Sequence, residues 1–484
     1  MGIVFKQSLV NTIITYVGFG IGAINTLFLY TRFLTEEYYG LVGVILSTAT
    51  ILMPILAFGV PNTMVKYYSS FKDSRESDGF LSLMLLLPLL FIIPVAFISY
   101  VANAAIGEFL ASKNAIVRDY VWYIFLIGMA LAYFEVFYAW SKVQLKSVFG
   151  NFMKEVFVRL GVTILLILIY FDLIDVTIFL KALVGLFLLR TVVMKVYAYT
   201  LKMPGLTFKF PGNTKNILNY SSLIILGGST AVVLLEIDRF MINQFIQIQN
   251  VAYYSVAIFI AAVVAVPSRA MHQITYPMTA ELLNAEDWTG LKHLYRKTSL
   301  TLFIIAGIIF AGIILNLTDL YTLLPEAYRG GFIVVFLIGL TKVFDAFLGN
   351  NNAILYNSEY YRTLLLMGVL LAVITILFNL WLIPVYGLSG AAIASFLAIF
   401  MYNCAKLIFV KVKFNILPFT AETFKVLGLL LFIGALFYSL QFPFHPIVNI
   451  IIKSILMLVM YVGVLYRLRI SEDVFAVLSR YLKR

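Results

Sequence analysis

Residues 80–101, FLSLMLLLPLLFIIPVAFISYV, form an apolar run without one charged side chain. A helix that crosses a bilayer needs about 20 mostly apolar residues, so this run can span a membrane. Runs of similar length recur along the whole chain, and the sequence therefore predicts an all-α polytopic membrane protein with about fourteen spans. The predicted spans lie near 9–31, 41–60, 80–101, 120–140, 156–171, 178–201, 217–246, 250–271, 299–317, 331–350, 363–383, 390–410, 423–441 and 447–466.

The composition also indicates that lipid surrounds much of the folded chain. Of the 484 residues, 62% are apolar and 12% are charged, against about 25% charged residues in a typical soluble domain. Cys404 is the single cysteine, which excludes a disulfide framework and a cysteine-based metal site. The three histidines do not form a ligand pair of metal-site spacing. The sequence predicts no catalytic residues, no metal site and no cofactor.

The distribution of basic residues predicts the orientation. Most of the 35 lysines and arginines fall on the side of the membrane that holds both termini. This bias is the positive-inside rule, and it predicts that both termini are cytoplasmic. It also accounts for the net charge of +12 through anionic lipid headgroups, without a nucleic-acid partner. The residues assigned to the cytoplasmic side include Lys142, Lys146, Lys154 and Lys406.

A weak internal repeat predicts two related lobes. Tyr38 and Tyr39 follow the first span, and Tyr253 and Tyr254 follow the seventh at a constant offset. Paired lobes of six helices are a common way to build an alternating-access transporter. The predicted division is an N-lobe at 1–201, a cytoplasmic linker at 202–216, a C-lobe at 217–413, helices thirteen and fourteen at 414–470, and an amphipathic cytoplasmic tail helix at 471–484.

Three motifs resemble those of a known family. The block RFLTEEYYGLVGVILSTATILMPILAFGVPNTMVKYY, the segment EIDRFMINQFIQIQNVAYYSVA and the segment IPVYGLSGAAIAS are similar to Wzx-type polysaccharide flippases. These flippases belong to the multidrug/oligosaccharidyl-lipid/polysaccharide exporter superfamily. The first-block positions that carry the resemblance are Arg32, Leu34, Gly40, Gly59, Lys66 and Tyr67. The chain departs from the lipid II flippase branch, because its first helix has no arginine before Arg32.

The resemblance implies a non-enzymatic flippase of the bacterial cytoplasmic (inner) membrane. Its substrate would be an undecaprenyl-diphosphate-linked oligosaccharide, moved from the inner to the outer leaflet by alternating access. The implied partners are this lipid-linked oligosaccharide, membrane lipids, H⁺ or Na⁺ as a coupling ion, and other polysaccharide-assembly proteins.

Charged residues inside the predicted spans are the candidate functional residues, because a charge at mid-bilayer is unfavourable unless it is paired or faces a wet cavity. Glu236 with Arg239, and Lys342 with Asp345, are three residues apart and predict structural ion pairs as the alternative to a functional role. Under the resemblance, basic residues bind the diphosphate, and the expected set is Arg32, Arg159, Arg190, Arg239, Arg269 and Lys342. The acids are candidates for the coupling ion, and they are Glu135, Glu236, Asp238 and Asp345.

Two other functions are compatible with the sequence. A MATE-like drug/cation antiporter of the same superfamily usually has twelve spans and an acidic residue in the first helix, and this first helix has none. A membrane polysaccharide polymerase or ligase needs a large outer loop for its catalytic residues, and the largest predicted outer loop, at about 102–119, is short. We expect the flippase function on these grounds.

Overall fold

The computed structural model describes residues 3–71 and 74–470, so the predicted tail helix at 471–484 lies outside the described residues. Within them every regular element is helical, which confirms the predicted fold class. The chain forms two compact units, Met1–Ser255 and Val256–Arg484. The predicted lobe boundaries at 201 and 217 are based on the internal sequence repeat, and the division into compact units does not test them. They therefore stay predictions.

The first unit contains twelve α-helices and the beginning of a thirteenth. They are α1 Ile3–Ile24, α2 Tyr30–Phe33, α3 Glu36–Ala57, α4 Val60–Tyr67, α5 Ser74–Leu86, α6 Leu89–Val101, α7 Asn103–Leu110, α8 Val121–Val143, α9 Val148–Phe152, α10 Val158–Tyr170, α11 Val176–Leu201, α12 Thr214–Phe245 and α13 Gln249–Ala262. Short π-helical segments at Asn25–Leu29 and Met153–Phe157 join α1 to α2 and α9 to α10.

The core of the first unit is built around α8. This helix packs against α3 on one side and α11 on another, and α12 packs along α3. Trp140 and Phe134 of α8 are completely or almost completely buried. Glycines allow close approach between helices: a Cβ at Gly40 would overlap the carbonyl oxygen of Ile248, and one at Gly18 would overlap that of Glu155. In a bilayer, lipid already solvates apolar side chains, so helices associate through close contact at small residues.

The second unit continues α13 and adds eight helices. They are α14 Val266–Asn284, α15 Trp288–Leu315, α16 Leu317–Thr322, α17 Phe332–Phe347, α18 Asn351–Asn357, α19 Tyr361–Phe414, α20 Ala421–Tyr438 and α21 Pro446–Arg467. Helix α17 packs against α15 and α19, and α20 and α21 pack against α15. The core here includes Phe303, Val426, Met457 and Tyr461.

By length and composition, 10 of the described helices can cross a membrane, or 11 if the bent pair α17 and α18 is one span. One of the 10, α19, has 54 residues, and at 1.5 Å per residue it would be about 80 Å long if it were straight. Gly387 has φ 56° and ψ −132° inside it, at the turn predicted between spans eleven and twelve. The predicted spans at 156–171 and 217–246 coincide with helical segments that are not among the 10. The total of fourteen therefore stays a prediction.

Asn114 joins the connection between α7 and α8 to the end of α12. Its Nδ2 donates to the carbonyl oxygens of Asn243 (2.8 Å) and Ile246 (2.9 Å). Its Oδ1 accepts from the backbone N–H of Ile248 at 2.9 Å. The side chain is buried, so these hydrogen bonds satisfy backbone groups that would otherwise have no partner at the end of a helix.

We expect Asn114→Ala to lower the free energy of unfolding by about 2–4 kcal/mol, because it leaves buried backbone donors and acceptors unsatisfied. Thermal unfolding of the purified protein in detergent measures the change. The matched control is Asn250→Ala, whose amide bonds the nearby carbonyl of Gln247 at an exposed position. Equal melting temperatures for the two variants would contradict the proposed role of Asn114.

Candidate substrate and ion sites

Arg190 is a buried cation in the middle of α11. It lies 14 residues after the first residue of this helix and 11 before the last, which is about 21 Å and 16 Å along the axis. Its side chain is only 4% exposed. The guanidinium lies over the ring of Phe134, with Cζ 3.9 Å from the centroid, and 5.1 Å from that of Phe187. In the described part of the chain, its Nε and Nη2 have no hydrogen-bond acceptor.

Three basic residues interact with Glu135, and we call the four residues together the Arg190 cluster: Glu135, Lys142, Lys154 and Arg190. Lys154 Nζ lies 2.6 Å from Glu135 Oε1. Both Lys142 and Arg190 also interact electrostatically with Glu135. Since the cluster contains one carboxylate and three cations, it attracts anions. The two lysines are exposed, whereas Arg190 is buried.

The local sequence explains how these side chains converge. Lys142 follows Glu135 by seven residues, or two turns, and therefore lies on the same face of α8. Lys154 lies in the π-helical segment Met153–Phe157. A π turn inserts an additional residue and redirects the side chains of that segment, which is why such turns recur at functional sites.

Arg159 is engaged locally. Its Nη1 donates to the backbone oxygen of Glu155 and lies 2.7 Å from Glu155 Oε2. The backbone oxygen of Arg159 accepts from Asn25 Nδ2 of the first π segment at 2.8 Å, and Thr163 Oγ1 donates to Asn25 Oδ1 at 2.7 Å. Arg159 therefore belongs to the contact between α1 and α10, outside the Arg190 cluster.

The charged residues of α12 form a second group in the first unit. Glu236 and Arg239 are in contact as an ion pair, and Arg239 Nε donates to Ser255 Oγ at 2.9 Å. Asp238 is 4% exposed and accepts a hydrogen bond from Tyr254 Oη at 2.6 Å. The ion pair expected from the spacing of Glu236 and Arg239 is therefore present, whereas Asp238 bonds to the neighbouring helix α13.

The other predicted pair, Lys342 with Asp345, is not within ion-pair distance in the described residues. Asp345 instead accepts a hydrogen bond from Asn403 Nδ2 of α19 at 2.7 Å. Tertiary contact with α19 therefore overrides the three-residue spacing on α17. Of the remaining predicted residues, Arg32 and Arg269 are exposed, at the end of α2 and on α14.

Lys406 is a buried cation that sequence reasoning assigned to the cytoplasmic end of span twelve. It is 2% exposed in α19, its Nζ donates to Asn352 Oδ1 at 2.9 Å, and it lies 4.3 Å from the centroid of Tyr402. Its electrostatic neighbours include Asp345. Lys406 lies near the end of a long apolar segment, where the boundary of a span is difficult to place from the sequence. That position is the signal for a buried lysine here.

The described residues contain no group of three or more His, Cys, Asp or Glu side chains that could hold a metal ion. Comparison with known proteins gives the family. Residues 4–283, more than half of the chain, match the model of a family described as polysaccharide biosynthesis protein. This chain belongs to the polysaccharide biosynthesis protein family. No curated protein matches it at a significant level.

Solved structures give the fold of this polysaccharide biosynthesis protein. The lipid II flippase MurJ in an inward closed conformation matches with a TM-score of 0.74 and 13% identity, over 95% of this chain and 99% of that one. An inward-facing MATE multidrug resistance transporter matches with a TM-score of 0.65 and 14% identity, over 84% and 98%. A transporter from Pyrococcus furiosus matches with a TM-score of 0.57 and 13% identity, over 86% and 97%. The latter two are described as members of the MOP superfamily, so this chain has the fold of flippases and transporters.

Proposed function

We propose that this protein is a Wzx-type flippase that moves an undecaprenyl-diphosphate-linked oligosaccharide from the inner to the outer leaflet of the bacterial cytoplasmic membrane. The observation that carries the proposal is Arg190, a buried guanidinium with unsatisfied donors in a cluster of three cations and one carboxylate. Membership of a polysaccharide biosynthesis family and the flippase fold support the same substrate class.

The chemistry of Arg190 suits a diphosphate. Holding a charged side chain at the bilayer centre costs about 3 kcal/mol on insertion scales, so a cation that has no acceptor there needs a functional reason. Guanidinium presents its donors in a planar fork that binds two phosphate oxygens together. The exposed Lys142 and Lys154 meet the headgroup first. The headgroup then competes with Glu135 for Lys154 and accepts hydrogen bonds from Arg190.

The same cluster argues against the drug/cation antiporter. A cationic drug needs carboxylates or aromatic faces in its path. Here Arg190 already lies over the faces of Phe134 and Phe187, and the cluster has three cations for one carboxylate. The longest connection between described α-helices runs from 202 to 213, and it offers little room for the catalytic residues of a membrane polymerase or ligase. The proposal also includes the other basic residues of the predicted substrate set as phosphate ligands, and the candidate acids as carriers of H⁺ or Na⁺. Their charge is the ground for both roles.

The direct experiment uses the full chain in proteoliposomes that contain a fluorescent polyprenyl-diphosphate oligosaccharide. We expect the protein to make the labelled glycan accessible to a lectin on the opposite side faster than protein-free vesicles do. The matched substrate is the same glycan on a polyprenyl monophosphate, which offers fewer oxygens to the cations and should move more slowly. Ethidium uptake under a proton or sodium gradient tests the antiporter in parallel. Ethidium transport without glycan transport would replace the flippase by the antiporter.

A further inference from the structure

An apolar groove in the second unit lies between α15, α16 and α21. Its volume is about 370 Å³, which is within the usual range of cavities that hold small ligands. The walls are mainly isoleucine, leucine and methionine side chains, among them Ile308, Ile313, Met457 and Leu458. Asn316 and Ser454 supply the polar part of the lining.

The length of the groove is close to that of one leaflet. Its polar part lies at the end of α15 and two turns into α21, where Lys453 Nζ donates to the backbone oxygen of Leu315 at 2.9 Å. The lining extends from Ile308 to Asn316 on one side and from Ile450 to Leu458 of α21 on the other, which is about 12 Å along each helix. Half of a hydrocarbon core of about 30 Å is about 15 Å. The groove therefore accommodates an acyl chain of a single leaflet over most of the leaflet's depth.

The polar part of the groove has an acceptor that needs a donor. Asn316 is 4% exposed, and its Nδ2 donates to the Gly312 oxygen at 2.8 Å and to Ser454 Oγ at 3.3 Å. This arrangement fixes the amide orientation, and Asn316 Oδ1 is buried without a donor in the described residues.

One carboxylate lies beside this part of the groove, outside its lining. Asp319 follows Asn316 by three residues and interacts electrostatically with Lys453, which is buried. A ligand that matches the groove has an acyl chain and a positively charged N–H donor for Asn316 Oδ1 next to Asp319. A phospholipid with a primary ammonium headgroup has both.

We propose that this groove is a binding site for one phosphatidylethanolamine-type lipid, with an acyl chain between α15 and α21 and the ammonium group on Asn316 Oδ1, beside Asp319. The site shares no residue with the Arg190 cluster and does not depend on the proposed function. Binding of this lipid stabilises the packing of α21 against α15 and α16.

The experiment titrates the purified full chain in detergent with phosphatidylethanolamine and, separately, with phosphatidylcholine of the same acyl chains, and counts bound lipid by native mass spectrometry. Phosphatidylcholine has the same net charge but no N–H donor. We expect the ethanolamine lipid to bind about tenfold more tightly, which is the value of a hydrogen bond between charged and polar partners. Asn316→Leu and Asp319→Asn should each reduce this preference.

A variant that fills the groove tests the position of the acyl chain. Gly312 lines the groove, and a Cβ there meets nothing within 4 Å, so Gly312→Leu can fold and should abolish binding of both lipids. The control on α21 is Gly463→Leu, which also has free space around its Cβ but lies outside the lining. Equal affinity for the two lipids would overturn the headgroup assignment. Undiminished binding to Gly312→Leu, displacement by a polyprenyl diphosphate, or a change of oligomeric state in Gly312→Leu would overturn the site.

Discussion

Arg190→Met is expected to reduce transport of the diphosphate-linked glycan by roughly 10- to 100-fold while the protein folds at least as stably as its parent. The loss follows from charge-assisted hydrogen bonds of about 1.5–3 kcal/mol that the guanidinium makes with the substrate. The stability follows from the removal of a buried cation whose Nε and Nη2 lack acceptors in the described residues. Proteoliposome transport and thermal unfolding of the same preparation measure the two effects.

The control variants separate charge from geometry. Arg190→Lys keeps the charge but loses the fork, so we expect partial transport. Lys195→Ala removes an exposed cation of the same helix and should transport at the parental rate. If Arg190→Met transports normally, or if it unfolds at a much lower temperature, then Arg190 is a structural residue and the substrate path lies elsewhere.

Asp238→Asn is expected to slow turnover by about tenfold and to remove its dependence on an imposed H⁺ or Na⁺ gradient. Outward movement of a dianionic headgroup gains about 2.3 kcal/mol per charge per 100 mV from an inside-negative potential. The return of the empty carrier gains nothing from the substrate charge, and a proton or Na⁺ that moves inward on a carboxylate down its gradient can drive this step. Asp238 is the most deeply buried of the four candidate acids, so it is best suited to exchange a proton or bind a dehydrated ion.

Two further variants locate the coupling site. Tyr254→Phe removes the hydrogen bond to Asp238 and keeps the carboxylate, so its turnover should still respond to the gradient. Glu135→Gln tests the alternative acid, which is held by Lys154. Glycan binding should persist in Asp238→Asn, because the Arg190 cluster is unchanged. Parental transport by both Asp238→Asn and Glu135→Gln under every gradient would exclude these acids as coupling sites.

The sequence predicts the helices well because each needs only a long apolar run. Helix α3, at Glu36–Ala57, overlaps the predicted span at 41–60. The resemblance also predicted the superfamily fold, and the comparisons confirm it. The number of spans is less accessible, since α19 includes two predicted spans and the bent pair α17 and α18 does not form a straight helix.

The pairing of charged residues could be predicted only in part. Glu236 and Arg239 share a helix face, and their contact follows from helical geometry. The contact between Glu135 and Lys154 joins α8 to a π segment, and the contact of Asp345 with Asn403 joins α17 to α19. Such contacts depend on how helices pack, which spacing along one helix does not specify. The buried position of Arg190, in contrast, follows from one charge at the centre of a long apolar run.

Gly387 shows that open space and mutational tolerance are different properties. A Cβ at this position meets nothing within 4 Å, so a map of neighbours alone would permit any residue. Its φ of 56° with ψ of −132° is a conformation that glycine adopts readily and L-residues with a side chain avoid. In a population of random variants, selection at this turn would act on backbone geometry. Gly387 would therefore resist substitution as strongly as a core residue, although an added Cβ would meet no neighbour.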